Sequence, residues 1–143
     1  MTSPNATPPF DAPYEGDLGP DLEFALRLAD AADAASMSRF DAADLEVSLK
    51  ADASHVTEAD LATERAIRTL IEAERPDDGV FGEEYGVTGD SNRQWIIDPI
   101  DGTANYLKGI PMWTTLIALA VDGVPRVGVA SAISVVHIGM PLR

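Results

Sequence analysis

The clearest periodic pattern in the chain begins at Asp21, where apolar positions start to recur at helical spacing. Polar side chains fall on one face and apolar ones on the other, so an amphipathic helix is predicted over residues 21 to about 40. A second helix is predicted to begin at 57–60 and to end at the turn Pro76-Asp77-Asp78-Gly79. The predicted apolar stripes are Leu22, Ala25, Leu26, Ala29 and Ala32 in the first helix, and Ala62, Ala66, Ile67, Leu70 and Ile71 in the second.

Short apolar runs predict β-strands around these helices. Such runs lie at 45–49, at Val80-Phe81 and at 95–97. Two longer, partly β-branched runs at 114–121 and 124–130 flank Asp122-Gly123, a dipeptide typical of a two-residue hairpin turn. The length of 143 residues and the lack of an interdomain linker indicate a single domain, which contains both helices and strands.

Composition narrows the range of functions. The 143 residues include 24 acids and 10 bases, for a net charge of −14, so nucleic acid and anionic membranes are not expected as partners. The chain has no cysteine, which excludes disulfides and thiolate metal sites and suits a reducing compartment. Its first residues lack the basic start and apolar core of a signal peptide, so a cytoplasmic location is expected. The two histidines, His55 and His137, are isolated in the sequence and are both predicted to be structural.

Acidic side chains gather where predicted elements begin or end. Asp60 lies at a helix start, Glu83-Glu84 follow a strand, and Asp98 and Asp101 follow the next strand. Hard cations such as Mg²⁺ prefer oxygen ligands, mostly carboxylate, carbonyl and water. A sharp turn at Asp98-Pro99-Ile100-Asp101, stiffened by its proline, would aim both carboxylates and the Ile100 carbonyl to one side. The spacing therefore favours a metal site.

A phosphate site is predicted directly beside the metal site. Gly102 and Thr103 open the next predicted helix, where free backbone N–H groups bind phosphate well. Adjacent metal and phosphate sites are what metal-assisted hydrolysis of a phosphate ester requires.

Each acidic position also has an ordinary structural interpretation. Thr57-x-x-Asp60 matches a helix capping box, and spacing alone favours capping. Glu83-Glu84 alone is typical of a solvated turn, and Asp98 and Asp101 alone could cap a helix.

Three stretches together resemble the inositol monophosphatase family of Mg²⁺-dependent phosphatases: "WIIDPIDGTAN", "GEEYG" and "VTEAD". The resemblance extends over 21–132 and is strongest to the bacterial histidinol-phosphate phosphatase branch. It implies the layered α-β-α-β-α sugar-phosphatase fold, of which the N-terminal half, two helices packed on a mainly antiparallel sheet, is present. It also implies a small phosphorylated metabolite as substrate and, for full-length members, a homodimer.

The resemblance implies a set of metal ligands. Glu83 would bind the first Mg²⁺, and Asp98 would bridge the first and the second. Ile100 would give its backbone carbonyl to the first ion, and Asp101 would bind the second. Asp60 would help to hold a third, weaker Mg²⁺.

The resemblance also implies catalytic and phosphate-binding roles. Thr103, together with Glu83, would orient the attacking water. The amides of Gly102 and Thr103 would cradle the phosphate, and Lys50 and Glu84 would support the site.

The two ends of the chain depart from the pattern. Residues 1–20 hold five of the ten prolines and are predicted to be a disordered tail. Residues 133–143 do not continue the family pattern, so a C-terminally truncated member with weak or no activity is expected.

Two classes of function follow. The first is Mg²⁺-dependent phosphomonoester hydrolysis, with histidinol phosphate in histidine biosynthesis as substrate, or else inositol 1-phosphate or another sugar phosphate. The second is a non-catalytic fragment that binds metal or associates with other subunits.

Overall fold

The computed structural model describes residues 13–132 as three helices and seven strands. The helices are α1 (Gly19–Met37), α2 (Glu58–Glu74) and α3 (Thr103–Leu107). The strands are β1 (Val47–Leu49), β2 (His55–Thr57), β3 (Gly79–Gly82), β4 (Gly86–Thr88), β5 (Arg93–Asp101), β6 (Thr114–Val121) and β7 (Val124–Ala132).

The larger sheet has five strands in the order β4-β3-β5-β6-β7, and all neighbours are antiparallel except β3 and β5. The β6–β7 hairpin turns at Asp122 and Gly123, whose φ angles are 53° and 78°. Both angles lie in the left-handed region, as a type I′ turn requires. The predicted hairpin and the mainly antiparallel sheet are thus confirmed. β1 and β2 pair in a separate antiparallel sheet.

The two long helices pack on the same face of the larger sheet. Trp95 of β5 is fully buried there, and its ring meets Phe24 of α1 edge-on with 5.4 Å between the ring centroids. Other core side chains come from β5, from alternate positions of β6 and from one stripe of α2; they include Ile97, Ile117, Leu119, Ile67 and Ile71. The predicted packing of two helices on the sheet is confirmed.

No element within the described residues packs on the opposite face of the sheet. Phe81, Ile96 and Leu116 lie on the neighbouring strands β3, β5 and β6 and are 51%, 38% and 38% exposed. We call these three residues the open sheet face. Because side chains alternate along a strand, Trp95 points to the helices while Ile96 and Asp98 point the other way.

α1 packs through a different stripe from the predicted one. Leu22 and Leu26 are 46% and 50% exposed, whereas Phe24 and Leu28 are almost fully buried. The predicted stripe was therefore wrong in part. The alanines of α1 are compatible with either rotation of the helix, and the tertiary contact with Trp95 selects the one that buries Phe24.

Some boundaries also differ. The strands β2 and β4 were not predicted, since each has three residues and little hydrophobic alternation. α1 begins at Gly19, whose N–H donates to Asp17 Oδ1 at 2.9 Å, so the end of the predicted tail belongs to the helix. Tyr14 and Leu18 pack against the core. Residues 1–12 and the ending 133–143 lie outside the described residues. Within 13–132, every helix is too short or too polar to cross a lipid bilayer.

Candidate active site

The segment Asp98-Pro99-Ile100-Asp101 occupies the end of β5. Asp98 pairs with Leu116 and Asp101 pairs with Thr114, with a register shift between them. Pro99 has no N–H to give to the ladder, which explains the irregularity. Its carbonyl accepts a hydrogen bond from Thr115 Oγ1 at 2.8 Å. The predicted sharp turn is therefore wrong: the segment is an irregular strand end.

The predicted site residues line one cleft of about 380 Å³, with the exception of Asp60. They are Glu83 and Glu84 from the turn after β3, Asp98, Ile100 and Asp101 from β5, Gly102 and Thr103 from the N-cap and first residue of α3, and Lys50 from the β1–β2 connection. The cleft also includes Ser54 and His55, which the sequence did not single out as site residues. No local pattern in the sequence marks these two; the pairing of β1 with β2 brings them to the cleft.

Lys50 neutralises part of the acidic charge. Its Nζ lies 3.5 Å from Glu83 Oε1 and 3.0 Å from Glu84 Oε2. Burial disfavours the ammonium, but the hydrogen bond to Glu84 and the two carboxylates outweigh it and raise the pKa of Lys50. Burial also raises the pKa of Glu84, against the effect of Lys50.

Asp98 has the most perturbed carboxyl of the cleft. Burial, followed by repulsion from Asp101, Glu83 and Glu84, raises the pKa of Asp98 from 3.8 to about 6. A nearby cation stabilises the charged form of such a carboxyl group. Carboxylate and carbonyl oxygens are also the donors that Mg²⁺ prefers, so the chemistry of the residues fits that ion.

The acidic side chains of the cleft are not arranged as a metal-binding site in this structure. Within residues 13–132, no group of three or more His, Asp or Glu side chains is arranged so that it could hold a metal ion. Like charges repel, so these carboxylates are expected to spread apart until a cation brings them together. The predicted ligand roles of Glu83, Asp98, Ile100 and Asp101 stay predictions.

Asp60 is 1% exposed and acts as a helix cap. Its Oδ2 accepts hydrogen bonds from Thr57 N and Thr57 Oγ1 at 2.9 and 2.6 Å, which completes a capping box with the Thr57 side chain. The capping interpretation is confirmed. Asp60 Oδ1 accepts a hydrogen bond from Thr103 Oγ1 at 2.9 Å, so Asp60 links α2 to the start of α3. Its predicted role toward a third Mg²⁺ stays a prediction.

Gly102 adopts a conformation that other residues rarely take. Its φ is 97°, and an added Cβ would lie 3.1 Å from the Met112 carbonyl oxygen. The glycine thus permits the close approach of two backbone segments just before α3.

Gly102→Ala is therefore expected to destabilise the fold by about 2 kcal/mol, from backbone strain plus the contact with Met112. Gly123→Ala is a matched control, because Gly123 has φ 78° and open space around an added Cβ. We expect the control to lose about half as much unfolding free energy, because its added Cβ causes backbone strain but no close contact. Equal losses in urea unfolding would contradict the role of the contact.

Comparison with known proteins bears on the whole domain. The model of the inositol monophosphatase family matches residues 17–136. The chain belongs to this family. Among curated relatives, the histidinol-phosphatase of Mycobacterium tuberculosis is 53% identical over 113 residues, covering 78% of this chain and 44% of the relative. The histidinol-phosphatase of Streptomyces coelicolor is 55% identical over 116 residues, with the same coverage.

Comparison with a solved structure supports the fold. The extragenic suppressor protein suhB of Bartonella henselae superimposes with a TM-score of 0.75 at 33% identity, covering 79% of this chain and 45% of that one. The chain thus spans less than half the length of these relatives.

Proposed function

We propose that the chain carries the metal- and phosphate-binding site of a Mg²⁺-dependent phosphomonoesterase acting on a small phosphorylated metabolite. The observation that carries the proposal is the single cleft in which Glu83, Asp98 and Asp101 adjoin Gly102 and Thr103. Carboxylates beside the backbone amides that open α3 suit a divalent ion and a phosphate at adjacent positions.

In this proposal, Mg²⁺ would be held by Glu83, Asp98, Asp101 and the Ile100 carbonyl. When bound, Mg²⁺ supplies an acidified water and positive charge that offsets the phosphate. The ion also explains how a chain of net charge −14 accepts an anionic substrate, because a local cation dominates a distant field.

Thr103 is proposed to orient the attacking water. Its hydroxyl lies 2.9 Å from Asp60 Oδ1 and 3.1 Å from the Ile100 carbonyl, and both are acceptors. The single hydroxyl proton is therefore committed to one of these acceptors. The oxygen keeps lone pairs that can accept a hydrogen bond from a water in the cleft, with the Glu83 carboxylate as a second acceptor.

We propose histidinol phosphate as the substrate, on the basis of the two histidinol-phosphatases to which the chain is more than half identical. Inositol 1-phosphate is the alternative within the same chemistry. The test is phosphate release from each ester with Mg²⁺ and with chelator, using Thr103→Val as control. Mg²⁺-dependent release that falls about a hundredfold in the variant supports the proposal. Release that is equal with and without Mg²⁺ would contradict it.

Mg²⁺ binding is expected to weaken below pH 6. The ion and the proton compete for Asp98, whose pKa is about 6 in the metal-free protein. Each pH unit below that value should cost up to about tenfold in affinity. Titration calorimetry at pH 5 and pH 7.5, in buffers of different ionisation enthalpy, measures the affinity and the released protons together.

The same carboxyl gives the metal-free protein the opposite trend. Folding raises the pKa of Asp98 from 3.8 to about 6, so the folded state holds this proton more tightly than the unfolded state. The stability from that proton is complete below pH 3.8 and is lost as the pH rises through 6.

A Mg²⁺ affinity that is the same at pH 5 and pH 7.5 would contradict the assignment of Asp98 as a Mg²⁺ ligand.

A second candidate function is association through the open sheet face. Phe81, Ile96 and Leu116 present adjoining apolar side chains beside the acidic cleft, and surfaces of this kind favour protein contacts. Sedimentation over a range of concentrations discriminates the candidates, because association through this face should respond to Leu116→Lys and not to chelator.

A further inference from the structure

A buried charged pair lies beneath the acidic cleft. Glu64 of α2 is fully buried, one helical turn after Asp60. Arg68 follows it by four residues and donates from Nε to Glu64 Oε1 at 2.9 Å. A buried carboxylate is costly unless it is paired and hydrogen-bonded, so its contacts matter.

Glu64 binds the backbone of the turn that follows β3. Its Oε2 accepts from the Glu84 N–H at 2.6 Å, and its Oε1 accepts from the Tyr85 N–H at 3.0 Å. Arg68 extends the contact to the far side of the turn, where it donates to the Gly86 carbonyl and to Thr88 Oγ1. The β3–β4 turn and the strand β4 are therefore attached to α2 at four points, two in each.

Gly82 makes room for this arrangement. A Cβ added at Gly82 would collide with Glu64 Oε1 and would lie 2.9 Å from the Arg68 guanidinium. Gly82 directly precedes Glu83, so the pair touches the backbone next to the first acid of the cleft. The φ of Gly82 lies outside the left-handed region, so contact with the pair is the reason for glycine here.

We propose that the Glu64–Arg68 pair is the positioning device for the acidic turn at Glu83 and Glu84. It fixes the backbone from beneath, while Lys50 bonds the Glu84 side chain from the cleft at 3.1 Å. Neither side chain lines the cleft, so the pair would act on the site through the turn. This role rests on the proposed function, because it is defined by Mg²⁺ uptake at that turn.

The decisive variant is Glu64→Gln. All three groups bonded to the Glu64 carboxylate are donors, so an amide of the same shape turns its own NH₂ toward a donor. We expect Mg²⁺ affinity to fall at least about tenfold, as it does when outer partners of metal ligands are removed. Amide exchange at Glu84 and Tyr85 should accelerate by about tenfold in the metal-free protein.

Thr63→Val is the matched control. Thr63 neighbours Glu64 in α2 and is fully buried, and its hydroxyl has no hydrogen-bond partner among the described residues. The control should leave Mg²⁺ affinity and both exchange rates within about twofold of the original chain. Arg68→Lys is a milder variant should Glu64→Gln fail to fold. Lysine keeps the positive charge but lacks the planar set of N–H donors of arginine, so this variant should weaken Mg²⁺ binding by about threefold.

The outcomes separate the two proposals. If the original chain binds Mg²⁺ and both Glu64→Gln and Arg68→Lys bind it equally well, the positioning role is wrong while the proposed function stands. If the original chain takes up no Mg²⁺, the proposed function is wrong and this role falls with it. Loss of affinity in both Thr63→Val and Glu64→Gln would also overturn the inference, because any disturbance of α2 would then suffice.

Discussion

Replacing Asp98 by asparagine is expected to abolish Mg²⁺ binding and, in the same variant, to raise the melting temperature of the metal-free protein. Asp98 is half-buried, and its charged form is opposed by burial and by the neighbouring acids. The amide keeps the size of the side chain and removes that opposition. Solvent screens part of the repulsion, so we expect a rise of about 3 °C at pH 7.

The two changes of opposite sign identify a site that gives up stability for binding. Calorimetric titration with Mg²⁺ and thermal unfolding by circular dichroism measure them on the same samples. Asp30→Asn is the matched control, because it removes the same charge from an exposed position on α1. It should leave Mg²⁺ binding unchanged and shift the melting temperature by about 1 °C or less. Undiminished Mg²⁺ uptake by the Asp98 variant would sink the proposed site.

The sequence allows the cleft to be predicted because its chemistry is concentrated in short segments. Asp98, Ile100 and Asp101 lie within four positions, and the strand before them carries its own apolar signal. The capping box could be recognised in the same way, since Thr57 and Asp60 satisfy it within one helical turn. What depends on neighbours in sequence could thus be predicted.

Features that depend on tertiary contacts could not be predicted. Glu64 and Arg68 have the i,i+4 spacing of a solvated surface pair, yet both are buried under the β3–β4 turn. One signal was available: Asp60, Glu64, Ile67 and Ile71 share a face of α2, so the apolar stripe continues into charged positions. The irregular end of β5 was missed because Pro99 breaks the pairing without ending the strand.

Trp95→Ala is expected to cost about 4 kcal/mol of unfolding free energy. Trp95 is fully buried, meets Phe24 edge-on, and donates from Nε1 to Asp78 Oδ2 at 2.9 Å. Small domains have only about 5–15 kcal/mol in total, so the variant should be partly unfolded at 37 °C. Because β5 also carries Asp98, Mg²⁺ binding should weaken along with folding. Urea unfolding followed by circular dichroism measures the loss.

The indole hydrogen bond can be separated from the packing of the ring. Trp95→Phe keeps an aromatic ring against Phe24 but leaves the Asp78 carboxylate without this donor. Trp113→Phe makes the same chemical change at a buried position whose indole N–H has no hydrogen-bond partner among residues 13–132. The Trp95 variant should therefore be less stable than the Trp113 variant by about 1.5 kcal/mol, the usual value of a hydrogen bond to a charged group. Equal losses would mean that Trp95 stabilises the sheet through packing alone, and that Asp78 is held by Arg93 Nε, 3.2 Å away, without help from the indole.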